Sequence, residues 1–242
     1  MTDSSVTTTT DELIMNAKSP ISRNSSTRNP SNRNLTLITD PRFGGLPVFT
    51  KRGALIGEYL LSIMDVMDKA LAIHPRTIAI RVDLRYPSNY PHTNDIPVIT
   101  RFIKSLKSQI AADLARKTKR GTRVRPCDVN YVWVKERGSE EHDHYHLVLF
   151  LNRDTYNALG LYDAVDGNTA ARIRKAWASA LGITPEHLGG AVYFPENPIY
   201  KLDAGSDCGR VYAKLFYRLS YFAKAETKLY QDSSNHFGTS RR

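Results

Sequence analysis

Cysteine is scarce in this sequence. There are two among 242 residues, Cys127 and Cys208, without zinc-ligand spacing and too few for a disulfide framework. Both are read as reduced and structural. Long apolar runs are missing too: no window approaches the ~18 consecutive apolar residues of a membrane span. The N-terminal residues are polar where a secretory signal would need an apolar core. No membrane association and a cytoplasmic location are therefore expected. No Gly-x-x-x-x-Gly-Lys-Ser/Thr phosphate loop occurs, which excludes a built-in motor of that type, and no internal repeat suggests a solenoid.

What is present suits one globular domain, with 41% hydrophobic and 24% charged residues. The formal charge of +10 and pI near 9.6 call for an anionic partner, for which nucleic acid is the usual choice. Charge alone does not separate DNA from RNA. Residues 1–36 are rich in Ser, Thr and Asn, including Thr7 to Thr10, and are expected to form a disordered tail with little apolar surface to bury. Its arginines read as part of a solvated leader or, as the alternative, as phosphate contacts. The folded domain is expected over 37–230, with a flexible basic tail over 231–242.

Apolar periodicity predicts helices over about 54–72, 97–117, 168–181 and 208–226, and strands over 77–86, 129–136, 143–151 and 190–195. The order of elements points to an α+β sandwich, an antiparallel-rich sheet backed by helices. A basic run from Arg116 to Arg125 is a candidate phosphate contact or a solvated loop. Residues 184–207, with Pro185, Pro195 and Pro198, read as a partly irregular connection.

His142, His144 and His146 alternate along one predicted strand, so all three can project from one face. Leu147 to Phe150 continue it as an apolar run, which would hold the histidines on a buried element. Glu136 lies on the preceding strand. Its carboxylate joins the histidine face if the hairpin pairs even positions with even positions, and a one-residue slip turns it away. Two imidazoles and a carboxylate favour a divalent ion such as Mn²⁺ or Mg²⁺, with zinc also compatible.

On the last helix, Val211, Leu215, Leu219 and Phe222 form an apolar stripe, continued by Tyr212 and Phe216. Tyr217, Tyr221 and Lys224, joined by Arg210 and Lys214, fall about 180° away at 100° per residue. Two phenols one turn apart with an ammonium beyond them suit phosphodiester transfer. A phenol, with its pKa near 10, attacks phosphorus only when the phosphate is polarised and the phenolate stabilised.

His144-Tyr145-His146, the upstream Glu136 and Tyr217-x-x-x-Tyr221-x-x-Lys224 resemble, in chain order, the HUH replication initiators and relaxases. Asp83-Leu84-x-Tyr86-Pro87, His144 to Leu149 and Leu219 to Lys224 resemble more closely the prophage YagK/YfjJ proteins, grouped with filamentous-phage replication initiators. The resemblance spans about 50 to 230. It implies a ferredoxin-like or RRM-like HUH endonuclease fold with the histidine strand at its centre. It also implies a metal-dependent reaction on single-stranded DNA at a replication origin, with a 5′-phosphotyrosine and a free 3′-hydroxyl as products. Tyr221 matches the tyrosine of the Tyr-x-x-Lys form and is the favoured first nucleophile, with Tyr217 available for a second transfer. Host helicase and polymerase would be needed.

His142 and Asp83 are further candidate ligands, although Asp83 also reads as a structural hydrogen-bonding group. Arg81, Arg85, Arg210 and Lys214 are candidate DNA contacts. Three other readings compete: a non-catalytic RRM-like module holding single-stranded nucleic acid, a relative that kept the fold and acts as a regulator, and a primase. The last is disfavoured because the first strand offers a single acid, Asp83, where two-metal chemistry uses paired acids.

Overall fold

A computed structural model of the chain describes residues 26–88, 90, 98–137, 143–205, 208–226 and 235–240. In chain order the elements are β1 (Ser26–Asn29), β2 (Asn32–Ile38), β3 (Arg42–Phe43), β4 (Leu46–Pro47), β5 (Leu55–Ile56), α1 (Gly57–Ile73), β6 (Arg76–Arg85) and α2 (Val98–Lys119). There follow β7 (Asn130–Arg137), β8 (Asp143–Asn152), α3 (Thr169–Leu181), β9 (Val192–Tyr193), β10 (Ile199–Asp203), α4 (Cys208–Ser220) and β11 (Phe237–Thr239). The fold class is α+β, as the sequence pattern predicts. The chain divides into two compact units, Met1–Asp65 with Asp203–Ser234 and Val66–Leu202 with Asn235–Arg242, where one domain over 37–230 was expected.

The larger unit is built on one sheet in the order β10-β6-β8-β7-β11, with β9 also pairing β6. Strand β8 lies between β6 and β7 and is antiparallel to both. This interleaving of β6-α2-β7 with β8-α3-β10 is the split βαβ arrangement of ferredoxin-like folds. Eight consecutive residues of β6 are buried, as a central strand covered on both faces requires.

Strand alternation divides the side chains between the two faces. Ile78, Ile80, Val82 and Leu84 of β6 and Leu147, Leu149 and Leu151 of β8 join a core with Phe102 and Leu106 of α2 and Trp177 of α3. Asp83, Glu136, His144 and His146 belong to the other face. Trp177 is fully buried, its indole N–H donates to the Arg85 carbonyl at 2.7 Å, and its ring meets Phe102 and Tyr145 edge-on.

Helix α3 begins where the Asn168 side chain accepts from the Ala171 N–H at 2.8 Å. It ends at Gly182, whose φ of 72° is the left-handed conformation glycine adopts without strain.

The C-terminal stretch predicted to be a flexible tail supplies β11, which pairs Phe237 with Val134 and Thr239 with Val132. The reason lies far along the chain: β7 would otherwise be an unpaired sheet edge. Gly238 fits there because a Cβ would lie 2.5 Å from the Trp133 ring. The connection over 184–207 likewise holds β9 and β10, both on β6.

The smaller unit contains a β1-β2-β5 sheet and a β3-β4 hairpin. Residues 26–36 therefore depart from the expected disordered tail, while 1–25 lie outside the described residues. Tertiary contacts override the polar composition here. The Glu58 carboxylate, in the first turn of α1, accepts from the Thr36 N–H at 2.8 Å and from its hydroxyl at 2.9 Å, a favourable place for an anion.

Helix α4 stops at Ser220, short of the predicted 226. The Ser220 hydroxyl donates to the Tyr217 carbonyl at 2.7 Å and accepts from the Phe49 N–H at 2.8 Å. A 3₁₀ turn over Tyr221–Ala223 follows, and Lys224 then forms an antiparallel bridge with Leu55.

Candidate metal centre and tyrosine segment

The register of the larger sheet assembles the histidine face. Glu136 pairs with His144 and Val134 with His146 across β7 and β8, while Asp83 pairs with His146 and Arg85 with His144 across β6 and β8. Directly opposed residues share a face, so the even-to-even pairing brings Glu136 onto the side of both histidines. Ligand atoms of Glu136, His144 and His146 all lie within 4.8 Å of one another. His142 lies outside the described residues.

Asp83 stands behind this cluster. Its Oδ1 is 2.8 Å from Nδ1 of His146, whose Nε2 is 3.2 Å from Oε2 of Glu136. The ring is thus held by one nitrogen and presents the other to Glu136, the arrangement in which an outer carboxylate orients a metal-ligating histidine. Asp83 fits the orienting role better than that of a direct ligand. Burial alone would raise its carboxyl, but the His146 hydrogen bond and the Arg81 charge hold it at about 2, so it stays anionic.

The two histidines differ electrostatically. His144 is pushed below the ordinary imidazole value by burial and by the charge of His146, against the pull of Glu136 and Asp83. Its lone pair is therefore available at neutral pH. Burial disfavours the charged form of His146 as well, but hydrogen bonds to Asp83 and Glu136 outweigh it and raise the value. Two imidazoles and a carboxylate on rigid neighbouring strands fit a divalent ion with positions left open for other oxygen ligands.

Arg81 is not available as a DNA contact. It is 7% exposed, pairs with the Asp83 carboxylate and donates to the Val82 carbonyl at 2.7 Å. Its alternation with Asp83 on one strand face places it beside that carboxylate. Arg85, two residues on, is exposed and opposes His144 in register.

In the smaller unit Tyr217 and Tyr221 are half-buried around a residue without a sequence signal, Phe49. Its ring centroid is 5.8 Å from each phenol ring. Lys224 is buried rather than carried on an exposed helix face, with its Nζ 3.9 Å from the Tyr221 ring centroid, a close cation–π contact. Arg210 and Lys214 are exposed on α4.

An α+β protein with a candidate divalent-metal centre on the central strands of its sheet is thus defined. Over residues 38–240 the chain matches the family described as the YagK/YfjJ C-terminal domain, and it belongs to that family. It is 35% identical over 198 residues to "Uncharacterized protein YagK" of Escherichia coli (strain K12), covering 76% of this chain and 95% of the relative. "Uncharacterized protein YfjJ" of the same organism is 33% identical over 200 residues, covering 78% and 96%. No solved structure matches the chain. Among the described residues, no helix is long and apolar enough to cross a membrane.

Proposed function

We propose that the chain is a divalent-metal-dependent endonuclease and strand transferase that nicks single-stranded DNA at an origin and so starts rolling-circle replication of a phage-like element. The observation that carries this reading is the convergence of Glu136, His144 and His146 within 4.8 Å, with Asp83 orienting His146, in a chain that also presents paired tyrosines. A bound Mg²⁺ or Mn²⁺ would act there as a Lewis acid on a non-bridging phosphate oxygen.

The Tyr221 phenol oxygen forms the new bond to phosphorus as the bond from phosphorus to the 3′-oxygen breaks. The phenolic proton is lost and the departing oxygen is protonated, leaving a 5′-phosphotyrosine and a 3′-hydroxyl that primes synthesis. Lys224 fixes the Tyr221 ring. Tyr217 serves a second transfer. Arg85, Arg210 and Lys214 hold backbone phosphates. A host helicase and polymerase supply unwinding and synthesis, and the reaction takes place in the cytoplasm.

The test incubates the protein with single-stranded oligonucleotides tiling the parent element, with Mn²⁺ or with EDTA. An SDS-resistant protein–DNA adduct that needs metal and disappears in Tyr221→Phe is expected. Salt-sensitive binding without an adduct on any oligonucleotide would favour the non-catalytic RRM-like module instead.

A further inference from the structure

A basic surface lies in the larger unit, on the helices rather than on the histidine face. Helices α2 and α3 flank a concave groove of about 600 Å³. Five cations line it, Arg116, Lys117 and Arg120 from α2 and the turn after it, and Arg172 and Lys175 from α3, against two carboxylates, Asp113 and Asp166. Counting those seven charges leaves +3.

The floor is organised by Asp113, which is 6% exposed. Its carboxylate takes Arg172 at 2.6 Å and Lys117 at 3.0 Å, and accepts from the Tyr156 hydroxyl at 2.9 Å. Burial alone would raise this carboxyl, but the hydrogen bonds from Lys117 and Tyr156 and the charge of Arg172 lower it. Lys117 and Arg172 also pack on the Tyr156 ring, at 4.8 and 5.4 Å from its centroid. Two cations are thereby fixed in the groove before anything binds. Arg116 and Arg120 are exposed and Lys175 is half-buried, and Arg120 and Lys175 have no carboxylate partner among the described residues.

The lining contains no aromatic side chain. Surfaces that hold single strands combine cations with rings on which bases stack, whereas backbone-directed contacts to a duplex need cations alone. We infer that this groove binds the phosphate backbone of double-stranded DNA, holding the duplex flank of the origin while the histidine face works on the single strand. The inference rests on DNA being the substrate, but not on the chain cutting it.

Binding of the full chain to a labelled short duplex and to a single strand of the same sequence, both in EDTA over a series of KCl concentrations, tests this. The variant Arg116→Ala/Arg120→Ala/Lys175→Ala should weaken duplex binding about tenfold or more and lower the slope of log affinity against log salt by about 2.7, at about 0.9 per lost phosphate contact. Single-strand binding should change much less, and metal-dependent adduct formation on a single-stranded oligonucleotide should persist.

Unchanged duplex affinity and slope would overturn the inference, as would a loss confined to the single strand. So would an equal duplex loss from Arg33→Ala/Lys51→Ala/Arg52→Ala, three exposed cations outside the groove. Because the binding arm contains no free metal and needs no adduct, a failure of the groove and a failure of the proposed nicking are read separately.

Discussion

The candidate metal centre and the tyrosine segment are built in opposite ways. Glu136, His144 and His146 come from paired strands at the middle of a sheet, where backbone ladders on both sides fix each side chain and Asp83 fixes a ring from behind. Tyr217 and Tyr221 come from the end of a helix, where regular structure gives way to a 3₁₀ turn and a single β-bridge. Groups that must converge on an ion demand sub-ångström placement, and strands in register provide it. The proposed nucleophile, Tyr221, stands instead where a helix ends, half-buried against the Phe49 ring and the Lys224 ammonium.

Breaking the sheet side should have the largest effect. His146→Ala removes the central member of the carboxylate–imidazole–carboxylate chain, so Mn²⁺ should no longer raise the melting temperature and no adduct should form. Differential scanning calorimetry and the adduct assay check the two consequences separately.

Next comes the packing under the same strands. Trp177→Ala should destabilise the fold by about 3–5 kcal/mol, read from urea unfolding, because a fully buried indole and its hydrogen bond to the Arg85 carbonyl are lost together.

Asp83→Asn keeps the shape and removes the charge behind His146. Metal affinity should fall about 10–100-fold by calorimetric titration, with little change in the tyrosine segment. Loss of no more than a factor of two would reduce Asp83 to an Arg81 partner.

The smallest effect concerns acid stability. Asp113 has a depressed value in the folded state, so its contribution is present above the unfolded carboxylate value and is lost as pH falls through the folded one. Asp113→Asn should lower stability at neutral pH and flatten the decline as pH falls through and below the ordinary carboxylate range, a difference visible in unfolding midpoints measured across acid pH.

Much of this layout is legible from residue patterns. The central strands and the helices α1, α2 and α3 follow from apolar periodicity, because each buries one long regular face. The conditional placement of Glu136 resolves once the register is known, since a period of two leaves only two outcomes.

The parts that escape are those decided by distant residues. Nothing local marks 26–38 as strand, and its order depends on Glu58 and β5, more than fifteen positions away. Lys224 looks helical by spacing, yet its backbone pairs with Leu55. Asp83 behind His146, Arg81 beside Asp83, and Phe49 between the phenols are cross-element contacts that spacing along one element does not contain.

The most direct test of the central claim is to digest a protein–oligonucleotide adduct made with Mn²⁺ and locate the modified residue by mass spectrometry. One nucleotide-bearing peptide, linked through the phenol of Tyr221, is expected. Attachment to a side chain other than Tyr221 or Tyr217 would contradict it, as would an adduct that forms equally well in EDTA.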